Sequence, residues 1–155
     1  MLKTPASEDL KASRLERAIE DLLVDYPYLI ASHLPPPKRQ FNLKDIGIVD
    51  LYFEVGEAVW IAEIKANTCT VSCVRQIMRY VEHLRTKHLE VHGLLIGPGI
   101  NAQAAKLLNQ STLDLRFLKL EEDVPTKIVV CMDCRKAYAA RHHGCPICGT
   151  RQVLL

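Results

Sequence analysis

GIVDLYFEVGEAVWIAEIK, residues 47–65, decides the fold. The stretch is rich in β-branched and aromatic residues and is split by Gly56-Glu57, a pair suited to a tight turn, so it predicts two antiparallel strands joined as a hairpin. Strand periodicity places Glu63 and Lys65 on one face and Trp60, Ala62 and Ile64 on the other. A turn centred on Gly56-Glu57 pairs residues whose numbers sum to 113, which sets Asp50 across from Glu63. Asp50, Glu63 and Lys65 then share a face. Like charges opposed on a sheet repel unless something neutralises them, and a hard divalent cation between carboxylate oxygens does so, magnesium or manganese being the natural candidates. Such an ion polarises a phosphoryl oxygen and acidifies water, while a nearby ammonium offsets charge building on phosphorus, so the trio points to phosphodiester hydrolysis. The competing account is a surface ion pair between Glu63 and Lys65, common and worth little.

Downstream, VSCVRQIMRYVEHLRTK sets Val74, Ile77, Met78, Val81 and Leu84 at helical spacing. VHGLLIGPG reads as a buried strand, NAQAAKLLNQ as a short helix capped by Asn101, and LDLRFLKL as a further strand, an alternation that favours parallel pairing. Upstream, Leu15, Ile19, Leu22 and Leu23 form one stripe, and Ser13 with Glu16 reads as a capping box, so a first helix is expected to begin near Ser13. Pro27 and Pro35-Pro36-Pro37 interrupt the helical period, and Ser32 to Asn42 has the look of an extended surface connection. The order read from pattern is αββαβαβ.

The chain has 155 residues, 48% of them apolar, enough for one ordinary core and little more. With 20 basic and 18 acidic side chains the net charge is +2, so any nucleic-acid surface must be local. No apolar run suits a signal peptide or approaches the ~18 residues of a membrane span, and the expected setting is the cytoplasm, with no membrane partner. Composition shifts to Cys, His, Arg and Gly beyond an acidic segment containing Pro125, which predicts a first unit over residues 1–123 and an appended module over 124–155.

In that module Cys131-Met-Asp-Cys134 and Cys145-Pro-Ile-Cys148-Gly give four thiolates in two tight knuckles, the spacing of a tetrahedral zinc ribbon. A closed four-sulfur site leaves no position for substrate, so the Zn²⁺ is expected to be structural. A four-cysteine iron–sulfur cluster is an alternative that spacing does not exclude. Arg135, Lys136 and Arg141 form a local basic cluster able to contact phosphates, as are Arg75 and Arg79 on the second helix. Cys69 and Cys73 lack further ligands nearby and read as free thiols.

Asp50 ending one strand and Glu63-Ile64-Lys65 on the next resemble the PD-(D/E)XK nuclease superfamily. Within it, LERAIEDLLVDYPYLI, IVDLYF, IAEIK and VRQIMRYVEHL look like the catalytic domain of NucS/EndoMS-type endonucleases, a likeness spanning roughly residues 13–97. Gln76 and Tyr80 reproduce the Gln-x-x-x-Tyr element of RecB-type nucleases. The resemblance implies a restriction-endonuclease-like α/β core of αβββαβ type, with a mixed central sheet flanked by helices. It also implies a Mg²⁺ or Mn²⁺ site on Asp50 and Glu63, Lys65 beside the nucleophilic water, Gln76 facing the site, and one more carboxylate from the first helix, Glu16 or Glu20. The Cys-rich tail departs from those enzymes, so mismatch-specific cleavage is not carried over.

The expected function is metal-dependent hydrolysis of phosphodiester bonds by an endonuclease acting in DNA repair or defence. DNA is the expected partner, and a homodimer or larger DNA-processing complex is left open. The rivals are a non-catalytic nuclease-like subunit that docks DNA or protein, and a transcription-associated factor in which the ribbon is the working part.

Overall fold

The fold is that of a computed structural model, which describes residues 7–151. Helix α1 runs Ser7–Asp25 and so begins before Ser13. The segment SEDLKAS is made largely of residues that tolerate a helix, and Glu8 and Asp9 suit the positive end of its dipole. Ser13 is therefore an exposed interior residue and no capping box forms around Glu16. Leu15, expected on the buried stripe, is 47% exposed, whereas Ile19 and Leu23 are buried. Pro27 closes the helical run and opens a single 3-10 turn, Pro27–Leu29.

The stretch expected as a surface connection contains a strand, β1 (Lys38–Asn42). It pairs with β2 (Ile48–Val55), which forms the hairpin with β3 (Ala58–Ile64). Helix α2 (Val71–Arg85), strand β4 (Glu90–Gly97), helix α3 (Ala102–Gln110) and strand β5 (Leu115–Lys119) follow. The sheet order is β1-β2-β3-β4-β5, antiparallel among the first three strands and parallel from β3 to β5. The sheet is thus mixed. The chain begins αβββαβ, as the resemblance implied, rather than αββαβαβ, as pattern alone suggested. Asn101 caps α3 as expected, its Oδ1 accepting from the Ala104 amide at 2.8 Å.

The hairpin keeps the anticipated register from Val55 opposite Ala58 to Leu51 opposite Ala62. Gly56, at φ +60, supplies the left-handed first position of a II′ turn. Alternation then splits the core. Leu51, Phe53, Ala62 and Ile64 pack with Ile19 and Leu23 of α1, while Val59, Ile61 and Tyr52 pack with Ile77, Tyr80 and Val81 of α2. Phe53 is fully buried, and truncating it to alanine is expected to cost about 3–5 kcal/mol. Where the chain enters β2, Gly47 (φ +151) lies under Tyr80, and a Cβ there would stand 2.4 Å from the tyrosine Oη.

Strands β6 (Ile128–Val130) and β7 (Ala137–Ala139) form a separate antiparallel pair beyond Val124, the last residue buried on the main core. The pair is docked on the rest of the chain, since the Ala137 amide donates to Tyr28 Oη at 2.6 Å and Arg141 Nη1 donates to the Glu121 carbonyl at 2.7 Å. Cys69 is buried and Cys73 half-buried, both as free thiols. Among the described residues no helix is long and apolar enough to cross a membrane.

Candidate active site

The hairpin's backbone ladder gives way at Asp50 and Glu63, and side chains take over. The Asp50 amide donates to Glu63 Oε1 at 3.3 Å, and the Ile64 amide donates to Asp50 Oδ2 at 2.8 Å. The next amide on that edge of β3, from Ala66, donates to Glu16 Oε1 of α1 at 3.0 Å. Carboxylates from β2 and α1 thus occupy donors that a longer strand would have paired, and this brings them to the end of β3. On the α2 side, Lys65 Nζ stands 3.8 Å from Glu63 Oε2 and donates to Gln76 Oε1 at 3.1 Å, while Gln76 Nε2 donates to Tyr80 Oη at 3.1 Å. The structure therefore connects Glu63, Lys65, Gln76 and Tyr80 in one chain of polar contacts.

Glu63 is only 3% exposed. Burial, and then the facing Asp50 carboxylate, push its pKa up to about 8, with the Lys65 ammonium pulling the other way. The neutral form of Glu63 is thereby favoured, and a divalent cation at the same place would relieve the same repulsion. The donor set is all oxygen, which suits Mg²⁺ or Mn²⁺.

Two residues that pattern did not single out complete this end of the sheet. Arg39 Nε donates to Glu20 Oε1 at 2.9 Å and the same guanidinium reaches Asp21. Gln40 Nε2 donates both to Glu20 Oε2 at 3.0 Å and to Asp50 Oδ1 at 3.1 Å. Glu20 is buried and held by β1, whereas Glu16 binds the β3 edge. Both line a cleft of about 560 Å³ with Ser13, Arg17, Arg39, Gln40 and Asp50. A second cleft, of about 400 Å³, is lined by Val71, Ser72, Arg75, Gln76 and Arg79 of α2. The signal for Arg39 and Gln40 was confined to a short polar strand after three prolines.

At the far end of the chain the four cysteine sulfurs lie within 4.8 Å of one another, the only such group of three or more potential ligands among the described residues. Cys131 Sγ is 3.6 Å from Cys148 Sγ, and Cys134 Sγ 3.6 Å from Cys145 Sγ. A tetrahedron with Zn–S bonds of about 2.3 Å has edges of roughly 3.8 Å, so the sulfurs fit a single zinc ion. The Cys148 amide points at Cys145 Sγ, 3.5 Å away. Each knuckle is followed by a left-handed residue, Arg135 at φ +64 and Gly149 at φ +78. Arg135 and Lys136 are exposed, and Arg141 is tied to the Glu121 carbonyl.

Comparison with known proteins places the chain in a family. The endonuclease NucS C-terminal domain family matches residues 15–137. Endonuclease NucS of Methanocaldococcus jannaschii is 28% identical over 137 residues, 81% of this chain and 52% of the relative. That of Pyrococcus furiosus is 32% identical over 116 residues, 74% of this chain and 42% of the relative. Among solved structures, an EndoMS-dsDNA2 complex superposes with a TM-score of 0.60 at 27% identity, covering 67% of this chain and 44% of the other. A repair endonuclease from Pyrococcus abyssi also gives 0.60, at 28% identity, covering 67% and 46%. The chain spans about half the length of these relatives, and the shared half contains the whole five-stranded sheet with Asp50, Glu63 and Lys65 at its end. The chain belongs to the family of the endonuclease NucS C-terminal domain.

Proposed function

We propose that this chain is a divalent-metal-dependent endonuclease of PD-(D/E)XK type acting on DNA. The observation that carries the reading is the clustering of Asp50, Glu63 and Lys65 where the hairpin ladder opens, with Glu63 buried and pushed up to about 8. Asp50 and Glu63 would hold Mg²⁺ or Mn²⁺, with Glu16 or Glu20 completing the acidic set from α1. When bound, the cation neutralises charge on the phosphodiester and acidifies the attacking water. Lys65 positions that water and offsets negative charge on phosphorus. Gln76, braced by Tyr80, fixes the direction of the Lys65 ammonium. The names of the relatives, and the DNA in one solved complex, support DNA as substrate. Arg75 and Arg79 flank Gln76 and are suited to contact the backbone of the bound strand. We place the division between catalytic unit and ribbon just past Val124, one residue beyond the expected boundary because that side chain packs on the main core, assign Zn²⁺ a structural role, and expect the protein to act in the cytoplasm. The closeness of the sulfurs supports a single ion over a cluster of several irons and bridging sulfides.

The test is cleavage of labelled single-stranded, double-stranded, branched and mismatched DNA with Mg²⁺ or Mn²⁺, comparing the natural chain with Lys65→Ala and Glu63→Ala. The blank is omission of the divalent ion, because a chelator would also strip the ribbon. Metal-dependent cutting lost in both variants supports the reading. DNA binding without cutting supports the non-catalytic docking subunit instead.

A further inference from the structure

Gln40 sits in the middle of β1, directly across from Asp50, yet the two do not pair through their backbones. The ladder runs Arg39 opposite Leu51 and Phe41 opposite Val49, and skips the position between. Gln40 has φ +46, a left-handed conformation that side-chain-bearing residues adopt at a cost and that strand geometry does not ask for. What it gains is placement of its amide. One nitrogen donates to Glu20 of α1 and to Asp50 of β2, at 3.0 and 3.1 Å, and so spans the cleft between helix and sheet. The other Asp50 oxygen is held by the Ile64 amide, so the carboxylate is fixed at both ends. Glu20 is fixed likewise, by Gln40 and by Arg39, the latter also bound to Asp21.

We propose that Gln40 is a positioning residue for the divalent-cation site, holding the carboxylates of Asp50 and Glu20 in orientation across the cleft. This inference rests on the metal-dependent reading of the Asp50–Glu63 pair. An amide suits the task better than an ammonium or guanidinium. It supplies two N–H donors that restrain two acids, but no charge that would compete with the cation for them. A backbone distorted to aim one side chain is the pattern expected where local strain serves a site.

The test exploits the left-handed backbone. Gln40→Gly removes the amide and places the one residue that adopts this φ without strain, so the fold should hold, with Tm within roughly 2 °C of the natural chain. Loss of a group that orients metal ligands typically costs ~10–100-fold in metal affinity, and that loss is expected here. Mn²⁺ binding to zinc-replete protein is read by electron paramagnetic resonance of the free ion, alongside the Mn²⁺ concentration for half-maximal DNA cleavage. The inference is upheld if Gln40→Gly keeps its Tm while both Mn²⁺ midpoints rise at least tenfold, and if Gln40→Asn, which retains an amide and tolerates positive φ, recovers part of the loss. Unchanged midpoints in Gln40→Gly overturn it while leaving the metal site standing. A drop in Tm by more than about 5 °C, restored in parallel with the midpoints by Asn, assigns Gln40 to the fold and also overturns it. If the natural chain takes up no Mn²⁺ and Glu63→Gln changes nothing, the metal reading itself fails, and this inference with it.

Discussion

Replacing Glu63 with glutamine should make the protein more stable at neutral pH, although the side chain lies in the proposed catalytic cluster. Burial beside Asp50 raises the Glu63 pKa from 4.5 in the unfolded chain to about 8 in the folded one. The folded state therefore holds the proton more tightly. Stability from the protonated group is fully present below about 4.5 and is lost as pH rises through about 8. At ~1.36 kcal/mol per pKa unit the whole interval corresponds to on the order of 5 kcal/mol, and between pH 5 and pH 7.5 the loss is about 3 kcal/mol. Glutamine keeps the shape and cannot ionise, so the variant escapes this loss. Guanidinium denaturation of both proteins at half-unit steps from pH 5 to pH 8, zinc-replete and without added Mg²⁺ or chelator, reads the effect of Glu63 and its coupled neighbours, because titrating groups remote from the site cancel in the difference. The variant should gain on the natural chain by about 3 kcal/mol across the range. Millimolar Mn²⁺ at pH 7.5 should stabilise only the natural chain. A difference that stays flat within about 0.5 kcal/mol would refute the argument that burial beside Asp50 favours the neutral form of Glu63.

Gln76→Ala frees the Lys65 ammonium from its acceptor, and single-turnover cleavage should fall about tenfold with Mn²⁺ affinity unchanged; an equal loss in affinity would point to a wider collapse of the site. Arg135→Gly relieves a left-handed backbone at the position that Gly149 fills in the other knuckle, and should raise ribbon stability by about 1 kcal/mol, read as slower zinc release to a colorimetric chelator. Cys145→Ser should lower bound zinc from one ion per chain to well below one by elemental analysis and unfold residues beyond Val124, visible as faster amide exchange at Ala137, with protection of β3 retained.

The hairpin was legible because Asp50 and Glu63 lie inside alternating apolar strands with a glycine turn between them, and the register followed from counting. The cysteine pairs were legible because ligand spacing survives in the sequence whatever surrounds it. Strand β1 was not, since Lys-Arg-Gln-Phe-Asn contains one apolar residue. As an edge strand it is paired on one side only, and its cohesion comes from partners far along the chain, such as Glu54 for Lys38 and Tyr52 stacked on Phe41. Arg39 and Gln40 were missed for the same reason, their acceptors on α1 lying 18 to 20 residues upstream and the further acceptor of Gln40, Asp50, lying on the next strand. The start of α1 was misplaced because Ser13 and Glu16 imitate a capping box, while the helix in fact extends through a polar first half that buries little. That error also gave Glu16 a structural occupation it does not have, since its carboxylate reaches the Ala66 amide instead.

The contact between Gly47 and Tyr80 bears on how a saturation mutational scan of this chain would look. With an ideal Cβ 2.4 Å from the tyrosine oxygen and φ at +151, every side chain at position 47 meets both a collision and an unfavourable backbone. The neighbour in the way is itself buried and hydrogen-bonded to Gln76, so it cannot step aside without disturbing the contacts of Lys65. Scored by activity, position 47 would be as intolerant as 50, 63 and 65, and a map of depleted positions would count it among the reacting groups. Scored by stability instead of activity, the positions separate: Gly47→Ala, whose Cβ also meets two Tyr80 ring carbons at 2.8 and 2.9 Å, stays depleted, whereas Glu63→Gln does not.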